Sequence, residues 1–96
     1  MSTVTVEILV GADNATGLVD RDTLAAILDA RHEGWTIRDG IGSWQGKREE
    51  SVSVLLSDDR DAVLATVKAL ITPLRQDAVA WREVTPIHFV SASDLL

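Results

Sequence analysis

The stretch GWTIRDGIGSWQGKREES, residues 34–51, decides how the chain folds. It holds Trp35, Trp44 and four of the six glycines (Gly34, Gly40, Gly42, Gly46), set between two segments with strand character. Glycines within strands mark bulges or places where another backbone comes close. The stretch therefore reads as a long, kinked hairpin with an aromatic residue near its tip. Trp35, Ile37 and Ile41 share one parity of the first strand, while Thr36, Arg38 and Trp44 share the other. A bulge at Gly40 or Gly42 is expected to carry Trp44 across to the opposite face.

Upstream, Val4, Val6, Ile8 and Val10 alternate with Thr3, Thr5, Glu7 and Leu9, the period of a half-buried strand. Asp13 and Asn14 favour a loop from Gly11 to Gly17, and Asp20 is placed to cap a helix. Leu24, Ile27, Leu28 and Arg31 then recur at helical spacing, predicting a first helix from about Asp20 to His32 with Gly34 as its C-terminal cap. Downstream, Val52, Val54 and Leu56 alternate with Ser51, Ser53 and Leu55 as a third strand. Asp58, Asp59 and Asp61 crowd the start of a second helix, where negative charge suits the dipole. Val63, Val67, Leu70, Ile71 and Leu74 give that helix its apolar stripe, and Pro73 ends it near Thr72. Ala78 to Val84, with Trp81, reads as a fourth strand, Pro86 interrupts the pattern, and Ile87 to Val90 reads as a short edge strand.

The order strand, helix, strand, strand, helix, strand is the split βαβ pattern of an α+β, ferredoxin-like βαββαβ sandwich. Two helices would cover one face of an antiparallel sheet. The other face would present Thr5, Glu7, Leu9, Arg38, Ser53 and Leu55, too apolar to ignore and too polar for a second core. Such a face suits pairing with another copy, so a homo-oligomer is expected. Residues 1–90 form the expected domain and residues 91–96 a C-terminal tail.

At 96 residues and 46% hydrophobic content the chain suits one domain with a single core and a high ratio of surface to volume. With no cysteine, disulfides, thiolate metal sites and cysteine nucleophiles are excluded. Nine Lys and Arg against fifteen Asp and Glu give a net charge of −6, which repels nucleic acid and anionic membranes. The apolar runs fall short of the roughly 20 residues that span a bilayer, and the sequence starts on a strand pattern rather than a signal peptide, so a cytoplasmic location is expected. Seven of the nine basic residues are Arg, which together with abundant Ala, Val and Asp hints at a GC-rich coding genome.

A long hairpin between the second and third strands of such a fold resembles the PII-like signalling proteins and their trimeric relatives. The resemblance implies a hairpin that recognises a ligand or a partner protein. Gly42, Trp44, Gly46, Glu50 and Ser51 also resemble a Gly-x-Trp-x-Gly-x-x-x-Glu-Ser pattern of small bacterial and phage proteins. No PII nucleotide-binding motif aligns, because the loops carry Asp13, Asp58 and Asp59 where phosphate calls for glycine backbone and cations.

Trp44 with Gly46, Lys47 and Arg48 admits two readings. In one, the glycines satisfy turn geometry and the indole covers a neighbouring strand. In the other, an aromatic anchor stands beside two cations and engages a partner, Trp and Arg being enriched at binding hot spots. His32 suits a helix C-terminus, and neither it nor His88 shows metal-ligand spacing, so no metal or cofactor is expected. The Asp58, Asp59, Asp61 cluster reads as a helix cap. No nucleophile elbow, phosphate loop or paired-His motif is present. The expected function is a non-enzymatic binding or regulatory domain. The alternatives are a small acidic inhibitor of a host enzyme, phage-encoded in one version, and a cofactor-free enzyme of the dimeric α+β barrel type that assembles His88, Asp39 and a serine.

Overall fold

The computed structural model describes residues 2–84 and 88–95. Along the chain these form β1 (Thr3–Gly11), α1 (Arg21–Arg31), β2 (Thr36–Trp44), β3 (Lys47–Asp59), α2 (Arg60–Ile71), β4 (Ala80–Glu83) and a closing 3₁₀ turn at Ala92–Leu95. The strands lie in the order β2-β3-β1-β4, every neighbouring pair antiparallel. This is the ferredoxin-like α+β arrangement that the order of elements predicts.

Alternation along β1 and β3 fixes the register. Val6 lies opposite Leu56, Ile8 opposite Val54 and Val10 opposite Val52, and all six are buried. Slipping by one residue would turn every one of them to the open face. Burying a side chain of this size gains about 1.5–3 kcal/mol, so the pairing is strongly specified. Leu24 and Leu28 of α1 and Val63, Val67 and Leu70 of α2 close the core from the same side of the sheet. The open face keeps Thr5, Glu7, Leu9, Ser53 and Leu55.

Both helices start where the sequence places them. Asp20 accepts from the Thr23 amide, and Asp59 accepts from the Asp61 amide. Helix α2 ends at Ile71 with Thr72 as its cap, one residue before Pro73. Helix α1 departs from expectation at its far end. His32, in extended conformation, is the cap rather than Gly34, and its amide donates to the Leu28 carbonyl. Strand β4 is only four residues long, shorter than Ala78 to Val84, although the Val84 amide still donates to the Thr5 carbonyl. The expected edge strand does not form over residues 88–90, and Pro86 and Ile87 lie outside the described residues. Within the tail, Asp94 accepts from the Ser91 amide and starts a single turn.

No bulge interrupts β2. Its pairing with β3 runs unbroken from Thr36 opposite Leu55 to Trp44 opposite Lys47. Gly40 and Gly42 sit in regular ladder positions, where a Cβ on Gly40 would meet the Ser51 hydroxyl at 3.3 Å. Trp44 therefore stays on the side of Arg38 and the open face.

Candidate functional site

Strand β1 stops at Gly11, opposite Ser51, while β2 and β3 pair on without it. The last four pairs, Ile41 opposite Glu50 through Trp44 opposite Lys47, form a two-stranded arm projecting about 13 Å past the sheet. The described residues extend 51 Å along the long axis against 25 and 22 Å across it. Gln45 and Gly46 close the tip with φ of +50° and +79°. Positive φ at both central residues is the type I′ pattern, whose twist matches that of the flanking strands. Gly46 suits it at no steric cost, whereas Gln45 holds a left-handed conformation that side chains disfavour.

Side-chain alternation splits the residues singled out at the tip. Trp44 and Lys47 form a cross-strand pair on the open-face side, while Arg48 lies opposite Ser43 on the other side of the arm, the side of Ile41. Trp44 thus has one neighbouring cation at its level rather than two. Its side chain is 68% exposed, and Ile41 is 80% exposed. Trp44 and Glu49 border a cleft at the base of the arm whose other walls include Leu9, Gly11, Asn14 and Gln76. The Gln76 amide ties that wall together, donating to the Gly11 and Leu74 carbonyls at 3.0 Å and accepting from the Gly11 amide at 3.2 Å.

A guanidinium underpins the other side of the arm. Arg21, the first residue of α1, donates to Asp39 of β2 from Nε and Nη2 at 3.0 and 2.9 Å, and to Glu50 of β3 from Nη1 at 2.7 Å. The Glu50 and Asp39 carboxylates, in that order, hold the Arg21 pKa above its ordinary value. This grouping joins residues 18 and 29 positions apart, and helical or strand periodicity carries no trace of it.

On the open face the side chains named by the sequence fall into cross-strand rows. Glu7 stands beside Leu55 and accepts from Arg82 Nε at 2.9 Å, Thr5 and Ser57 share a hydroxyl contact at 2.6 Å, and Leu9 stands between Ser53 and Ala80. Arg38 is exposed beside Ser53, and Leu9 is 49% exposed. The face is a shallow apolar centre ringed by polar groups.

His32 serves more than the end of a helix. Its ring is buried, with Nδ1 2.7 Å from Asp58 and Nε2 2.6 Å from the Thr66 hydroxyl, which itself donates to the Ala62 carbonyl. Asp58 thus belongs to this network instead of the helix cap. The His32 hydrogen bond, followed by the Asp59 amide, lowers the Asp58 pKa from its ordinary value. The arrangement ties together α1, β3 and α2, with the His32 ring buried and the Asp58 carboxylate at its partly exposed edge. Elsewhere, His88 is exposed in the C-terminal segment and Asp39 is engaged by Arg21, with no hydrogen bond between the two. Among the described residues no three His, Asp or Glu side chains are placed to hold a metal ion, and no helix is long and apolar enough to cross a membrane.

No family model and no curated protein sequence matches the chain. Solved structures do match in three dimensions. A DUF3240 family protein of Shewanella baltica OS155 superposes with a TM-score of 0.64 at 15% identity, over 95% of this chain and 98% of that one. CPII, a nitrogen regulatory PII-like protein of Thiomonas intermedia K12 bound to ADP, AMP and bicarbonate, gives 0.60 at 13% identity over 93% and 98%. A phage SAM lyase in complex with S-methyl-5′-thioadenosine gives 0.56 at 17% identity over 82% and 78%. The chain shares the fold of PII-like proteins, as its long hairpin suggests, and at these identities the likeness is one of fold.

Proposed function

We propose that this chain is a non-enzymatic binding or regulatory domain that self-associates through its open sheet face and engages a protein partner or small effector with the Trp44 arm. The observation that carries the reading is the arm itself: a two-stranded projection beyond the sheet with a large aromatic side chain 68% exposed near its tip. An indole that served only to fill the core would be covered, and exposed aromatics of this kind anchor interfaces. Lys47 beside Trp44, Arg48 on the opposite side and Gly46 in the turn complete the proposed contact region. The open face, with Leu9 and Leu55 between Thr5, Glu7 and Arg38, has the apolar centre and polar rim of a contact surface.

A small-effector version draws support from the cleft at the base of the arm together with the ligands named for two proteins of this fold, ADP, AMP and bicarbonate in one and S-methyl-5′-thioadenosine in the other. Thermal-shift measurements with these four compounds test it. A midpoint that rises with concentration in the wild type, and not in Trp44→Ala, supports an effector bound beside Trp44. Equal shifts in both would remove Trp44 from the site. Light scattering tests the other half: Leu55→Glu should yield a folded monomer where the wild type is an oligomer, and a monomeric wild type would refute self-association.

A further inference from the structure

A two-stranded ribbon in water is only marginally stable. This one is weakened further, because Gly40 and Gly42 leave one side of β2 without side chains at its base and glycine costs a strand conformational entropy. Some contact from outside the ribbon has to hold it in one direction, and the described residues offer a clear one. Arg21 reaches both strands at the level where β1 ends, Asp39 lying two residues before Ile41, and Glu50 one residue before Ser51. The planar guanidinium takes a different carboxylate on each edge, so the bonds fix an angle as well as a distance. Its own position is set from below by the Asp20 cap and by burial of Leu24 and Leu28 on the same helix.

We propose that Arg21 is the positioning residue of the arm: by clamping Asp39 and Glu50 to the first turn of α1, it holds the projecting hairpin in a fixed direction and so presents Trp44 beside the cleft. The inference rests on the reading of the arm as the binding element. It assigns to one side chain the preorganisation that such an element needs, since ordering a loose hairpin on binding subtracts from affinity. Because the clamp is partly exposed, its loss should leave global stability nearly intact while freeing the arm. A residue with a merely structural role would show the reverse.

Backbone and indole ¹⁵N relaxation separates these outcomes. Trp44 reports the arm, while Trp35, whose indole donates to Asp29, and Trp81, packed beneath Arg60, serve as internal references. In the wild type the amides of residues 41–49 should show rigid order parameters of about 0.85, falling below about 0.6 in Arg21→Met. Trp35, Trp81 and the thermal midpoint should scarcely move. The double variant Asp39→Asn, Glu50→Gln removes the clamp from its other end and should reproduce the effect. An arm equally ordered in all three proteins, or already mobile in the wild type, would overturn the proposal, as would a uniform loss of order at all three indoles. Failure here would leave the Trp44 binding tests untouched, because a mobile arm can still bind.

Discussion

Replacing Thr66 by Val probes the interior where helix α1 meets β3 and α2. Valine keeps the shape and volume of threonine but removes the hydroxyl, leaving His32 Nε2 without its partner at 2.6 Å. The His32 side chain is 1% exposed, so water cannot take over the lost bond. An unsatisfied buried polar atom costs about 1–3 kcal/mol. For a domain of this size each kcal/mol lowers the melting temperature by about 4–8 °C, so Thr66→Val should melt roughly 4–24 °C below the wild type. Ser93→Ala is the control, since it breaks a 2.7 Å hydroxyl contact with Ser91 in the exposed C-terminal turn, where water can substitute. That variant should stay within about 0.5 kcal/mol. Thermal and urea denaturation followed by circular dichroism at pH 7 read both. A Thr66→Val variant as stable as Ser93→Ala would refute the claim that His32 depends on this bond.

Further outcomes follow from the same geometry. The Asp58 pKa is lowered, so its stabilising effect is present above the unfolded value of about 3.9 and is lost as pH falls through the folded value. Asp58→Asn should therefore be less stable than the wild type at pH 6, with the gap closing below about pH 4 in an acid titration of stability. Asp59→Ala removes the α2 cap and should cost about 1 kcal/mol in urea denaturation, with Asp59→Ser recovering most of it. Gln45→Asn places a residue tolerant of positive φ at the arm tip and should slow amide exchange across residues 42–49, whereas Gly46→Val should accelerate it. Trp44→Ala should cost about 1 kcal/mol, well short of the 3–5 kcal/mol typical of a buried aromatic, because two thirds of the side chain is already exposed.

How far the sequence could be read depended on the range of each interaction. Strands β1 and β3 announce themselves because one face of each is buried by residues two positions apart, and α2 because its apolar residues recur every turn. Asp20 and Pro73 act on their immediate neighbours, and both mark helix boundaries correctly. The contacts of His32 with Asp58 and Thr66 span 26 and 34 positions, and those of Arg21 span 18 and 29, so no local pattern encodes them. A cluster of three aspartates looks uniform in one dimension, yet Asp58 turns inward to the histidine while Asp59 caps the helix. Glycines in β2 predict a bulge, but here they only remove side chains beside Ser51 and leave the ladder intact. That single difference in register decides that Trp44 shares a side with Lys47 and the cleft, and that Arg48 does not.

Native mass spectrometry of the tagged wild type and its Trp44→Ala variant, drawn gently from cells of the source organism or its host, tests the arm most directly. The account predicts a homo-oligomer in both. The wild type should carry a stoichiometric protein or a constant small-molecule mass, and Trp44→Ala should lose that mass while remaining folded and assembled. Retention of the same bound mass by Trp44→Ala would contradict the assignment of the arm as the binding element, and so would loss of the fold.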